Sequence, residues 1–291
     1  MDALLVGNDI NNVVPGNSWA DLLKNLKNYF GVDIEFRKDK PFPMAYEEFY
    51  FKAIEHNGYS ELDIKKFISE QVNTIKFNDI HRQICDLDVE HILTTNYDLC
   101  FEQALGLPER KCKNTGVIKE AKYNLFRNYE AENKNIWHIH GAANHYKSIT
   151  LGYEHYSGYL QHMRNYVIAG TQNTYKKRKF TSLIRRLKNG DVSFDSWVDL
   201  FFTHNIHIFG FGLDFVETDL WWLLTFRQKA RLEKSKELGV YNQINYYIPE
   251  EYVQASQSKI DVLKSVGVII RKTPTESSKE TYYKKIISNL G

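Results

Sequence analysis

The residues best suited to chemistry lie in two short segments of the sequence. The first is Ile92–Asp98, in which an apolar run opens onto a carboxamide and a carboxylate. The second is Trp137–Gly141, in which an alternating run delivers an imidazole just before a glycine. An imidazole titrates near neutral pH and can take a proton from a hydroxyl group or from water, while a carboxamide can hydrogen-bond the same water. The two segments therefore predict a site for proton transfer and for positioning water.

Both segments have the pattern of a strand whose carboxyl end carries the polar residues. The strands are predicted at Ile92–Thr94 and Ile136–Ile139. In open α/β sheets, ligands bind in the crevice outside the carboxyl ends of the strands. We therefore expect Asn96 and His140 to face one crevice. Because strand side chains alternate, His138 shares a face with His140, and spacing alone leaves both histidines open.

A third segment, near the amino terminus, has the composition of an anion-binding loop. A short apolar run at Ala3–Val6 predicts a buried strand, and Gly7 leads from it into a polar turn. Ser18 is of the type expected to cap a helix at Trp19–Phe30. Free backbone N–H groups and the helix dipole favour a phosphate anion at such a junction. The alternative is an ordinary turn between a strand and a helix.

Taken together, these motifs resemble the sirtuin-like domains of bacterial antiphage NADases. The matching features are T-T-N-Y-D at Thr94–Asp98, H-G at His140, a Gly-Asn loop at Gly7, and a late strand, Ile206–Phe211, that ends in a glycine-containing turn. In that family the Asn of the box and the His before Gly are the catalytic pair, which implies Asn96 and His140 here. The resemblance covers most of the chain. It implies a Rossmann-like, doubly wound parallel α/β sheet.

The resemblance implies hydrolysis of the nicotinamide–ribose bond, with NAD as the substrate and no metal. Protein-deacylating sirtuins carry two C-x-x-C pairs for zinc and Phe-Arg after the glycine loop, and this sequence has neither, so deacylation is not expected. Stand-alone members of this length resemble those that work with a separately encoded HerA-type hexameric ATPase. The implied role is NAD depletion in antiphage defence by a homo-oligomer. The alternative is a regulatory module that binds NAD or ADP-ribose without turning it over.

The residues expected to contact NAD belong to three loops. They are Gly7, Asn8, Asp9 and Asn11 in the first, Thr95 and Asp98 in the second, and Gly210, Gly212 and Leu213 in the third. Two of them depart from the family: Asp9 stands at the second glycine of G-x-G, and Thr95 replaces the Gln before the catalytic Asn. The Asp9 carboxylate repels a diphosphate unless it points away. Asp98 either stabilises positive charge or caps a helix at Leu99–Leu105, and we favour the cap.

Composition restricts the class of protein. A chain of 291 residues that is 43% hydrophobic can bury a substantial core. Because 38 Lys and Arg face 36 Asp and Glu, the net charge of +2 favours neither nucleic acid nor a membrane as partner. The three cysteines, Cys85, Cys100 and Cys112, form no C-x-x-C pair, which argues against a disulfide framework or a tetrahedral zinc site. The lack of a leader or a long apolar run predicts a cytoplasmic protein.

The remaining sequence predicts one domain, residues 1–291, whose sheet is interrupted by helical insertions at about 31–88 and 153–190. A short strand is predicted at Ser148–Leu151 and a helix at Lys176–Lys188. A basic run begins that helix and continues in Arg185 and Arg186; it is either a solvated face or a contact surface for an acidic partner, another subunit or nucleic acid. The aromatic residues on a late helix, Trp221, Trp222 and Phe226, either pack on the sheet or mark an interface between subunits.

Overall fold

The computed structural model describes residues 1–37, 39–172, 175, 178–274 and 276–291. Within these ranges one sheet has seven strands, in the order β3-β4-β2-β1-β5-β6-β7. The strands are β1 (Asp2–Val6), β2 (His91–Thr94), β3 (Tyr129–Ala131), β4 (Lys134–His138), β5 (Asn205–Phe209), β6 (Ile244–Pro249) and β7 (Val268–Thr273). Neighbouring strands are parallel except for β3 and β4. The predicted Rossmann-like α/β fold class is confirmed.

Helices surround the sheet and form a separate block near its carboxyl edge. They are α1 (Trp19–Phe30), α2 (Phe42–Asn57), α3 (Glu61–Val72), α4 (Asp79–Asp86), α5 (Cys100–Ala104), α6 (Tyr153–Ile168), α7 (Leu183–Asn189), α8 (Trp197–Thr203), α9 (Thr218–Leu238), α10 (Glu250–Val253), α11 (Gln257–Ser265) and α12 (Lys279–Ser288). Ser18 caps α1 as predicted, in a reciprocal capping box with Asp21. The sequence interpretation missed α8, α10 and α12.

The chain reverses its direction of strand addition at β1. It adds β2 and β4 on one side of β1 and then places β5 on the other side. The Gly7 N–H donates to the Phe209 carbonyl at 3.1 Å, which joins the two loops that follow β1 and β5. A Cβ at Gly7 would lie 2.4 Å from the Gly210 carbonyl oxygen, so this close approach requires glycine. A doubly wound sheet leaves its ligand crevice at such a reversal.

Each face of the sheet carries its own core. Helices α6, α8 and α9 cover one face, while α4 and α12 cover the other. Helices α1 to α3 pack around a third apolar cluster that includes Tyr97, Ile149 and Leu151. Trp221, Trp222 and Phe226 on α9 are partly buried against the first core. No helix in the described ranges is both long and apolar enough to cross a membrane.

One predicted element is wrong, and one predicted helix begins later than expected. Ser148–Leu151 is not a strand, because the preceding residues form a short 3-10 helix, Ala143–Ser148, and the Thr150 N–H donates to the His140 carbonyl at 2.8 Å. The apolar side chains that suggested a strand are instead buried in the helical block. The helix predicted from Lys176 begins only at Leu183, after its cap Ser182.

The predicted basic surface is smaller than the sequence implied. Lys176 and Lys177 lie outside the described residues, and the Arg186 side chain is buried in an ion pair with Asp199. Arg178 lies over the Phe180 ring at 5.3 Å. Tertiary pairing therefore removes Arg186 from any contact surface.

Buried histidines make the stability of the protein dependent on pH. Burial lowers the pKa of His81 and of His91 from 6.5 to about 4. The unfolded chain therefore binds more protons between these two values, and stability is lost as the pH falls from 6.5 towards 4, by up to roughly 3 kcal/mol for each histidine. We expect urea unfolding to show this loss. In His91→Gln the rise of the free energy of unfolding with pH, measured near pH 5, should be smaller by about 1.4 kcal/mol per pH unit. An unchanged rise would contradict a lowered pKa of His91 in the folded protein.

Candidate functional site

A cavity of about 390 Å³ opens at the carboxyl ends of β1, β2 and β5. The loop after β1, the Asn96 box, the turn after β5 and the first turn of α1 form its walls. Its lining includes these predicted site residues: Asn8, Asp9, Thr95, Asn96, Asp98, His140, Gly210 and Gly212. The crevice thus brings Asn96 and His140 together, as the strand-end argument predicts.

Asn96 presents a free carboxamide to this cavity. The residue is only 5% exposed, yet neither Oδ1 nor Nδ2 has a hydrogen-bond partner among the described residues. Its backbone is held on both sides, because its N–H donates to the Thr94 Oγ1 at 3.0 Å and its carbonyl lies 2.9 Å from the His138 Nδ1. Only the side chain is therefore available to a ligand.

The two histidines have different surroundings. His138 is fully buried, and its Nε2 lies 2.7 Å from a carboxylate oxygen of Glu102, which is also fully buried. Because its Nδ1 contacts the Asn96 carbonyl, both ring nitrogens of His138 are occupied by protein atoms. His140 lines the cavity. These contacts give His138 a role in holding the Asn96 backbone.

Two carboxylates that the sequence interpretation missed flank His140. The Asp219 Oδ2 lies 3.0 Å from the His140 Nε2, and the Glu217 Oε2 lies 3.8 Å from the Nδ1. Burial alone would lower the pKa of His140, but Asp219 and then Glu217 outweigh it and raise that pKa. Burial raises the pKa of Glu217, although His140 opposes the change. The imidazole is thus stabilised in its charged form between the two acids.

The loop after β1 is braced by a chain of side-chain hydrogen bonds. The Asn11 Nδ2 donates to the Asn8 Oδ1 and to the Asp98 Oδ2, both at 2.8 Å. The other Asp98 oxygen accepts from the Cys100 N–H at 3.1 Å, at the start of α5. The Asp98 carboxylate therefore accepts a backbone hydrogen bond at the start of α5, which agrees with the capping role favoured from sequence. Asn11 lies behind the cavity wall, not on it.

The Asp9 carboxylate is neutralised by α12. The Lys279 ammonium group donates to the Oδ1 at 2.6 Å, and the Tyr283 hydroxyl donates to the Oδ2 at 2.5 Å. Burial alone would raise the pKa of Asp9, but Lys279, Tyr283 and Asn12 outweigh it and lower that pKa. Because the Asp9 carboxylate is paired with Lys279, it repels an anionic ligand in the cavity less than a free carboxylate would.

The third predicted loop contributes differently from expectation. Gly210 and Gly212 line the cavity, together with Phe211 between them. Leu213 does not line it: the residue is 1% exposed and belongs to the core, with its backbone at a φ of 45°. Gly7 also stays behind the wall, in contact with Gly210. The aromatic residues that complete the lining, Trp19, Tyr97 and Tyr156, carried no sequence signal that separates them from core residues.

Two groups of side chains could hold a metal ion among the described residues. One is His81, Asp98 and Cys100, and the other is His140, Glu217 and Asp219. Sequence spacing did not reveal either group, because distant segments contribute the ligands. Within the first, both Asp98 oxygens already accept hydrogen bonds, and within the second the His140 Nε2 lies at hydrogen-bond distance from Asp219.

Part of the chain resembles a known protein family. A family model described as a SIR2-like domain matches residues 90–209. The matched segment includes Asn96, His138 and His140, and it ends with β5, before the Gly210 turn. The search of curated proteins found no match to this chain. The match supports a SIR2-like domain in this part of the chain, and it agrees with an enzymatic use of NAD.

Proposed function

We propose, starting from the SIR2-like domain at residues 90–209, that this protein is an NAD+ glycohydrolase that releases nicotinamide and ADP-ribose. One observation carries the proposal: Asn96 lines the cavity with both carboxamide atoms unpartnered among the described residues, beside His140. A buried polar group without a partner is costly to the free protein. A ligand that hydrogen-bonds the carboxamide therefore recovers that cost.

The chemistry needs few groups. Cleavage of the bond between nicotinamide and ribose passes through a cationic, oxocarbenium-like sugar, and nicotinamide leaves as a neutral molecule. In the proposed mechanism the Asn96 carboxamide holds a ribose hydroxyl and the attacking water. His140 and the carboxylates beside it form the group that orients that water and takes up its proton. The acids at the cavity wall also favour the positive charge that develops on the sugar.

The adjoining space suits the rest of a dinucleotide. A second cavity, of about 410 Å³, shares Asp9, Gly210, Phe211 and Gly212 with the first. Its wall includes Lys259, Lys279 and several tyrosines. No lysine or arginine lines the first cavity among the described residues, so cationic contacts to a diphosphate between the two cavities would come from the second cavity.

The direct test is nicotinamide release. Purified protein is incubated with NAD+, alone and with a candidate HerA-type ATPase, and nicotinamide and ADP-ribose are measured by chromatography. Equal amounts of the two products support hydrolysis. Binding of NAD or ADP-ribose without either product, under both conditions, would favour the regulatory module instead.

The proposed biological role is depletion of NAD in antiphage defence by a homo-oligomer that acts with a HerA-type ATPase. This extends the resemblance of the sequence to antiphage NADases. The surface offers apolar residues for such contacts: Met44 and Phe51 on α2 are 51% and 56% exposed. Exposed apolar side chains on one helix mark candidate interfaces.

We expect the protein to form a homo-oligomer in solution. Burial of the exposed apolar residues of α2 and of Phe215, which is 58% exposed, would favour association. Analytical ultracentrifugation at micromolar concentrations measures the mass. A monomer at every concentration would rule out a stable homo-oligomer.

We also expect turnover to be independent of metal ions. Asp98 in the first group and His140 in the second already contact protein atoms, and the proposed cleavage needs no Lewis acid because nicotinamide leaves as a neutral molecule. Nicotinamide release should therefore be the same before and after treatment with EDTA. Activity lost in EDTA and restored by zinc or magnesium would assign one of the two groups as a metal site.

A further inference from the structure

Glu217 has a position in the cavity that nothing in the sequence interpretation assigned. It directly precedes α9 and lines the cavity, and its side chain is 15% exposed. Its Oε2 has no hydrogen-bond partner among the described residues and lies 3.8 Å from the His140 Nδ1. A water molecule between these atoms could contact both. Glu217 is therefore placed to act on a reactant and not only to support the fold.

The other acids around the cavity are engaged or exposed. Both oxygens of Asp98 and of Asp9 accept hydrogen bonds from protein groups. Asp219 is fully buried outside the cavity lining, with its Oδ2 against the His140 Nε2 and its Oδ1 without a partner among the described residues, and Asp214 has a side chain that is 76% exposed. Glu217 alone among these five combines partial burial, a cavity position and an oxygen without a partner.

We propose that Glu217 is the proton acceptor of the reaction, and that Asp219 positions His140 so that its ring holds the attacking water against Glu217. The inference rests on the proposed NAD hydrolysis. The bond between the sugar C1′ and the nicotinamide nitrogen breaks, and its electron pair leaves with nicotinamide. The water oxygen bonds to C1′, and a water proton moves to the Glu217 Oε2. Release of that proton to solvent restores the carboxylate and completes the formation of ADP-ribose.

The electrostatics agree with this division of roles. Asp219 and then Glu217 outweigh burial and raise the pKa of His140, which favours the charged ring, and a charged ring donates to water but does not accept its proton. Burial raises the pKa of Glu217, and the His140 charge limits that rise. A base is most effective when its pKa lies near the working pH. The groups that face Glu217 are His140, Asp219, Tyr156, Tyr97 and Asp214.

The test compares Glu217→Gln with Glu237→Gln. Glu237 lies near the other end of α9, away from the cavity, and pairs with Lys188 at 2.7 Å. We expect Glu217→Gln to lower kcat by at least ~100-fold, the range of proton-transfer catalysis, with a much smaller change in KM. The wild-type kcat should rise with pH as the Glu217 carboxyl group ionises, and this rise should be absent in Glu217→Gln. Formate should restore part of the activity of Glu217→Ala, and Glu237→Gln should match the wild type.

A second readout does not depend on turnover. The pKa of His140 is measured by NMR in the wild type and in Glu217→Gln, with the signal assigned by its loss in His140→Ala. Removal of the neighbouring negative charge should lower that pKa, and an unchanged value would contradict the contact.

The outcomes separate the inference from the function. A wild type that releases nicotinamide, with Glu217→Gln equally active, overturns only the role of Glu217. A wild type that releases none, alone or with the ATPase, overturns both proposals.

Discussion

Asn96→Ala is expected to lower nicotinamide release by about 10²–10³-fold, the loss that follows removal of one positioned hydrogen-bonding group from an active site. The fold should be retained, because neither carboxamide atom bonds to another described protein group. Removing an unsatisfied buried polar group can even stabilise a protein. Steady-state kinetics and thermal unfolding together measure the two effects.

The matched control is Asn135→Ala. Asn135 lies at the opposite, amino-terminal end of β4, and its side chain donates to Glu90 at 3.1 Å on the surface. This variant should keep the wild-type rate. Full activity in Asn96→Ala would remove the observation on which the proposed function depends.

His140→Ala is expected to lower kcat by ~10²–10⁴-fold, because it removes the ring that contacts both carboxylates at the cavity and takes part in proton transfer. NAD affinity should change much less, since binding is shared among many groups of the two cavities. His138→Ala should lower kcat per folded molecule far less, because its ring contacts the Asn96 backbone and does not line the cavity. It should instead cost ~3–5 kcal/mol of stability, because Glu102 would remain buried without its partner.

Stability alone does not separate these two variants, since His140→Ala also leaves a buried carboxylate, Asp219, unpaired. The discriminating measurements are kcat per folded molecule and NAD affinity by calorimetry. A larger loss of turnover in His138→Ala than in His140→Ala, in proteins that both unfold cooperatively, would exchange the two roles. The strand position of His138 predicts only that its replacement affects catalysis and NAD binding comparatively little, and the Glu102 contact adds the expected loss of stability.

Much of the fold could be predicted because its signals are local. Short apolar runs that end in polar residues located β1, β2, β4 and β5, and Ser18 located the start of α1. Parallel strands connected by helices then require the strand ends to share one edge of the sheet. The prediction that Asn96 and His140 approach each other follows from that rule. An apolar run predicts a strand wrongly where its side chains are buried by packing against helices. This is the case at Ser148–Leu151.

The sequence by itself determined which residue types stand at the strand ends, and so where a crevice with a carboxamide and an imidazole must form. The tertiary structure alone decided how those groups are charged. Asp9 is neutralised by Lys279, which is 270 positions away in the chain. His140 meets Asp219 across a separation of 79 positions. Such pairs depend on which helices cross the strand ends, and helix packing leaves no periodic or capping signal at the residues it brings together.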